Sequence, residues 1–282
     1  MTPAGLSGFS RALYSNWLWH PSLQLIIDAG EGLPLALGSN AFSVNVLAIT
    51  HGHSDHVLGL PGFAGARRFG KGAPEKPYVV LYPTGSTGVE AIRETIASLW
   101  RGVDFPITWI ALAEGDTHRL SAKRRIEAFA VSHAADTPAF GYRVLESRRR
   151  LRAEFADLPQ SEVERVARQH GRDYVMQEYS HALFVHSGDA MPIDRAMTDR
   201  ADVLVHDATF LEPTDRRAPI HASSREVFEV ARDANVRTLI LNHLSIRYER
   251  TTAIATLREQ LAASGFRGDC WLLDEASFVN LR

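Results

Sequence analysis

Val44-Asn45-Val46-Leu47-Ala48-Ile49-Thr50-His51-Gly52-His53-Ser54-Asp55-His56 reads as a strand that empties into a histidine-rich loop. The first half is a short apolar run with the length and branching of a buried strand. The second half places three imidazoles and one carboxylate within six consecutive positions, His51 to His56. Strand ends that open into loops are common supports for catalytic residues. Neutral imidazoles and carboxylates suit zinc, and also iron or manganese. One tetrahedral ion needs only three or four ligands, so this stretch is enough to begin two metal sites. A chance histidine-rich surface turn would account neither for the aspartate inside the cluster nor for the apolar run before it.

Outside this stretch the composition sets broad bounds. The chain has 282 residues, 45% hydrophobic and 23% charged, the balance of a globular chain that buries a core. Its formal net charge of −2 supplies no global field toward nucleic acid, so any basic surface is local. A single cysteine, Cys270, excludes a disulfide framework and a cysteine-rich zinc site within one chain, and its apolar neighbours Trp271-Leu272-Leu273 make it a core filler. The start, Met1-Thr2-Pro3-Ala4-Gly5-Leu6, lacks the basic and apolar regions of a signal peptide. No stretch approaches the roughly 18 apolar residues of a membrane helix. The expectation is a cytoplasmic protein with no membrane partner.

Leu23 to Asp28 reads as a strand stopped by Ala29-Gly30-Glu31-Gly32, and Gly70 to Pro77 as a breaker-rich loop. Tyr78 to Tyr82 reads as a strand, and Val89 to Trp100 as an amphipathic helix with Ile92, Ile96 and Leu99 on one face. Further strands are expected over 107–112, 126–131, 140–145, 182–186 and 203–206. From Glu146 the chain turns polar, with Arg148-Arg149-Arg150-Leu151-Arg152 and then a short charged helix from Ser161 to Gln169 opened by a cap-like Ser161-Glu162-Val163-Glu164. The end alternates helix (223–234), strand (238–241), helix (251–263) and strands near 271–273 and 278–280. The pattern suggests layered sheets flanked by helices. No low-complexity tract divides it, so residues 1–282 are expected to form one domain with a short surface insertion at about 146–181.

Four more places share one local grammar, an apolar run and then a ligand-type residue. Ile126 to Ser132 leads to His133, and Leu183 to Gly188 leads to Asp189. Val203-Leu204-Val205 leads to His206-Asp207, and Leu239 to Asn242 leads to His243. Each alone reads as a hydrogen-bonded loop residue. Strand ends on one rim converge, however, so beside the first cluster they read as further ligands.

Thr50-His51-Gly52-His53-Ser54-Asp55-His56, His133, Ser187-Gly188-Asp189 and Asn242-His243 resemble the successive motifs of the metallo-β-lactamase superfamily. That resemblance implies an α/β fold: an αββα sandwich of two packed mixed β-sheets with helices outside and a dinuclear metal site on one edge. It implies two divalent ions, zinc in the first place, with manganese or iron as alternatives. His51, His53 and His133 would bind one ion, and Asp55, His56 and His243 the other, with Asp189 bridging both.

Within the superfamily the chain is similar to ribonuclease Z, the tRNA 3′-processing endonuclease family. Leu58-Gly59-Leu60-Pro61-Gly62, Phe140 to Val144, His206-Asp207-Ala208-Thr209-Phe210, His221-Ala222-Ser223-Ser224 and His243-Leu244-Ser245-Ile246-Arg247-Tyr248 carry this resemblance. It implies a phosphodiester substrate, tRNA, other RNA or a smaller diester, and a homodimer. Three departures stand beside it. The long Gly/Pro-rich arm with which bacterial members grip the tRNA elbow has only a short counterpart lacking that signature. His-Ala-Ser replaces His-Ser-Thr, and Gly5 to Ser10 is only loosely like the family's glycine-rich start.

Two divalent ions about 3.5–4 Å apart acidify a bridging water and offset phosphate charge. The expected chemistry is in-line attack of that hydroxide on phosphorus. Asp55 would orient the water, His221 would donate a proton or hydrogen bond to an oxygen of the phosphate, and Asp207 would fix the tautomer of His221. His221 also reads as a polar cap on the helix beginning near Ser223. His186 and His206 are left as ligand neighbours or core, and Arg247 and Tyr248 as phosphate contacts or packing. The Arg148 to Arg152 run suits a phosphate backbone but is diluted by Glu146, Glu154 and Asp157. The competing readings are a lactonase, esterase or other carbonyl hydrolase on the same site, and a non-catalytic metal-binding scaffold.

Overall fold

The computed structural model describes residues 3–70, 76–101 and 107–282, so the loop expected over Gly70 to Pro77 lies largely outside the described residues. One sheet holds β1 (Ser7–Arg11), β2 (Ser15–His20), β3 (Leu25–Ile27), β4 (Val46–Ala48), β5 (Tyr78–Pro83) and β6 (Ile107–Leu112), neighbours in space as in sequence. β1, β2 and β3 pair antiparallel, and β3 to β6 run parallel. The second sheet holds β7 (Thr117–Arg119), β8 (Arg124–Ala130), β9 (Phe140–Leu151), β10 (Met176–His186), β11 (Val203–Asp207), β12 (Thr238–Asn242), β13 (Asp269–Asp274) and β14 (Ser277–Asn280), again in chain order. Here β10 to β13 are parallel and the flanking pairs antiparallel.

The alternation of side chains along a strand explains the layers. Leu25, Ile27, Val46 and Ala48 face Val203, Val205, Ile240 and Phe184 in one buried cluster between the sheets. Their neighbours Ile26 and Leu47 point the other way, onto Leu60, Phe63, Ile92 and Ile96 of the helices Leu60–Phe69 and Thr87–Leu99. Leu204, Leu239 and Leu241 likewise pack on Val227, Phe228 and Leu257 of the helices Ser224–Asp233 and Arg250–Ser264. Strands buried on both faces read as continuous apolar runs, which is how they stood out in the sequence. The result is an αββα sandwich.

Two elements differ from expectation. The hairpin β1–β2 was not foreseen, because Ser15-Asn16-Trp17-Leu18-Trp19 is buried throughout and shows no polar alternation. The segment expected as a surface excursion prolongs two strands of the second sheet beyond the expected 140–145 and 182–186. β9 and β10 pair without a break in direction from His186↔Tyr142 out to Met176↔Leu151. The far end carries the helices Gln160–His170 and Arg172–Val175. A ribbon with both faces wet needs no apolar period, so its charged residues concealed it. The longer of these helices begins at Gln160 after Pro159, without the expected side-chain cap from Ser161.

Candidate metal centre

β8 and β10 both run antiparallel to β9 and therefore point the same way, so their C-terminal ends share a rim with those of β11 and β12. That rim meets the loop after β4. The helix Ser54–Val57 turns Asp55 and His56 inward, both buried. Glycine makes this approach feasible: a Cβ on Gly59 would lie 2.0 Å from the Gly30 carbonyl oxygen, and one on Gly30 2.4 Å from that of Asp55. All the expected ligands fall in groups whose ligand atoms lie within 4.8 Å of one another: His51, His53 and His133; His51, His56 and Asp189; Asp55, His56 and His243; and Asp189, Asp207, His221 and His243.

Hydrogen bonds orient most of these imidazoles the same way. His56 Nδ1 lies 2.8 Å from Asp28 Oδ2, and His133 Nδ1 lies 3.0 Å from the Ile220 carbonyl. Both partners only accept, so each Nδ1 carries the proton. Thr50 Oγ1 sits 2.9 Å from Asp28 Oδ2 and 3.0 Å from His51 Nδ1, and Thr209 Oγ1 sits 2.7 Å from Asp207 Oδ1 and 2.8 Å from His243 Nδ1. A hydroxyl that donates to a carboxylate accepts from the imidazole. In their neutral forms all four histidines therefore keep the lone pair at Nε2, and these atoms converge. His53 enters through Nδ1, 2.9 Å from His51 Nε2 and 3.4 Å from His133 Nε2, while its Nε2 approaches Thr137 Oγ1 at 3.5 Å.

Lone pairs and carboxylate oxygens meeting in a buried space call for a cation. Asp189 Oδ2 is central, 3.1 Å from His243 Nε2, 3.4 Å from His56 Nε2 and 3.8 Å from His51 Nε2. Among the described residues the buried Nε2 of His243 finds no hydrogen-bond partner. This unpartnered atom would be costly in an ordinary core and is what a ligand nitrogen requires. Burial and the neighbouring His56 hold His51 well below its ordinary value. Burial would also depress His56, but Asp189 and Asp28 outweigh it and raise that imidazole well above its ordinary value, so the centre attracts positive charge. The donor set fits divalent metal, and its N/O mixture matches zinc.

His221 lies at the edge of this cluster. Its Nδ1 is 2.6 Å from Asp207 Oδ2, and its ring stands 5.1 Å from those of both His133 and His243. Burial lowers its pKa, yet the carboxylate of Asp207, helped by Asp189, raises it to about 9. Asp207 is fully buried and also accepts from Ala190 N at 2.9 Å and Thr209 N at 2.8 Å. The side chain of Ser223 caps the next helix and shares a reciprocal capping box with Glu226, so His221 is not the cap.

Several residues at the centre were not singled out by their sequence. Asp28, Thr50 and Thr209 orient the imidazoles, and Asn16 Nδ2 and Leu13 N reach Asp55 Oδ2 at 3.0 and 3.2 Å. Asp28 obeys the same grammar as the ligands, an apolar run and then a carboxylate before Ala-Gly, and was legible on that ground. Asn16 had no such signal. His186 and His206 are buried, their rings bonding the backbone of Gly188, Ile193 and Asp207. Tyr248 Oη donates to Asp215 at 2.6 Å, and the guanidinium of Arg247 lies 5.1 Å from the ring centre of Phe210. No helix among the described residues is long and apolar enough to cross a membrane.

The chain is similar to known proteins in sequence and in fold. Residues 24–244 match the profile described as a beta-lactamase superfamily domain. The chain is 28% identical to a ribonuclease Z of Metallosphaera sedula, over 96% of this chain and 94% of that one. It is 30% identical to a ribonuclease BN of Proteus mirabilis, over 73% of this chain and 72% of that one. Its fold is similar to the metallo-beta-lactamase fold protein YhfI from Bacillus subtilis, with a TM-score of 0.66 and 16% identity, over 99% of this chain and 100% of that one.

Proposed function

The chain belongs to the metallo-β-lactamase superfamily, as a metal-dependent hydrolase with a His/Asp centre, and from this premise we propose that it is a dinuclear-zinc phosphodiesterase acting on RNA or a smaller phosphodiester. In this reading His51, His53 and His133 would hold one ion and Asp55, His56 and His243 the other, with Asp189 available to both. When bound, the pair of ions acidifies a water and offsets the charge of the phosphate.

The observation that carries the reading is the 2.6 Å bond between His221 Nδ1 and Asp207 Oδ2 beside the cluster. Asp207 keeps the imidazole charged at neutral pH, so His221 presents an N–H to a phosphate oxygen or to the departing alkoxide. Asp55, tied to Asn16 and Leu13, keeps a fixed carboxylate where water would enter. The relatives named ribonuclease Z support the substrate class.

The test is metal-loaded protein incubated in parallel with precursor tRNA, bis-p-nitrophenyl phosphate and a lactone. Cleavage of the phosphodiesters is expected. Turnover of the lactone alone would overturn the reading, and cleavage of the small diester without tRNA would assign the chain to a smaller substrate.

A further inference from the structure

The hairpin β1–β2 belongs to the first sheet, yet it binds residues from both halves of the chain. Ser10 Oγ accepts the backbone N–H of His243 at 2.7 Å and donates to Asn16 Oδ1 at 2.8 Å. Asn16 Nδ2 donates to Asp55 Oδ2 at 3.0 Å and stands 3.4 Å from His56 Nε2. Leu13 N gives Asp55 Oδ2 a further donor at 3.2 Å. Ser10 and Asn16 are only 2% and 3% exposed, so water cannot replace these bonds if they are lost. His243 has φ +62°, a left-handed conformation costly for a residue with a Cβ, and Ser10 holds its N–H there.

The hairpin reaches Asp55, His56 and His243, whose ligand atoms form one group. In the other group, His51 and His53 lie within hydrogen-bond reach of Thr50 and Thr137, and His133 donates to the Ile220 carbonyl. From this asymmetry we propose that Ser10 and Asn16 are positioning residues that set the affinity of the Asp55–His56–His243 position separately from that of the His51–His53–His133 position. The inference rests on the ligand assignment proposed above. Its cause is preorganisation: without the amide and the hydroxyl, an ion must itself order the Asp55 carboxylate and the His243 backbone. The chain would then pass between one-ion and two-ion forms according to a hairpin whose contacts, among the described residues, reach Asp55, His56 and His243.

The experiment titrates wild type, Ser10→Ala and Asn16→Ala with Zn2+ against a chromophoric chelator and counts ions per chain after gel filtration. Wild type is expected to hold two. In each variant the weaker binding step falls roughly 10–100-fold while the tighter step stays within about threefold. Retention of the first ion also reports that the variant is folded. Should Asn16→Ala fail to fold, Ser10→Ala, which deletes a single oxygen, carries the test. Loss of both ions together, or wild-type affinity for both, would overturn the proposal. Fewer than two ions in wild type would instead overturn the ligand assignment beneath it.

Discussion

His221 shows how one carboxylate changes what an imidazole does. Burial alone would leave it neutral, but Asp207 at 2.6 Å reverses the sign and raises it to about 9. Asp207 itself is fixed by Ala190 N and Thr209 N, so the pair is a rigid donor. For His221→Ala we expect kcat on bis-p-nitrophenyl phosphate to fall about 10²–10⁴-fold. Ions per chain should stay at two, counted by atomic absorption. Loss of metal in that variant would make His221 a ligand rather than an acid. Its spacing before a helix allowed either a cap or an acid, and Ser223 takes the cap in the fold. Asp28, by contrast, was open to reading, because it ends an apolar run as the ligands do.

The ribbon β9–β10 is the element whose sequence misled most. Its arginines look free on paper, yet Arg148 pairs with Glu146 at 2.8 Å, Arg149 with Asp173, and Arg143 with Glu127. The guanidinium of Arg150 lies over the Tyr179 ring at 4.9 Å. Arg148 and Arg149 of the charge run are thus paired within the protein. Val163 and Val175 are the buried residues of the two helices at its end, so this end contributes little to the core. Replacing residues 153–174 by a short turn should leave turnover of bis-p-nitrophenyl phosphate within about twofold. Melting temperature should move by only a few degrees, the scale of about 1 kcal/mol. A collapse of small-diester turnover would mean that the ribbon end supports the centre. If RNA is the substrate, the same replacement should raise KM for precursor tRNA alone.

His20 reports on how the two sheets meet. It ends β2 in the first sheet, and its ring stands edge-on to Phe184 of β10 in the second, 5.3 Å away. Burial lowers its pKa to about 4, partly offset by a hydrogen bond to its own backbone. The unfolded chain binds that proton near pH 6.5 and the folded chain does not, so its contribution is intact above pH 6.5 and is lost as pH falls toward 4. The slope is at most about 1.4 kcal/mol per pH unit. Urea midpoints should therefore fall more steeply over this range in wild type than in His20→Gln. Equal slopes would contradict a neutral, half-buried His20. The chain's own order of residues determined the strands buried on both faces, the loop of ligand-type residues after β4, and the same grammar at the ends of β8, β10, β11 and β12. These are local patterns, and period and composition suffice to read them. Tertiary structure alone decided which proton each imidazole keeps, that Asp207 serves both His221 and Thr209, and that Ser10 and Asn16 clasp His243 and Asp55. Those contacts join residues up to 233 positions apart, and nothing local in the chain records a partner that only the packing of two sheets brings within hydrogen-bond reach.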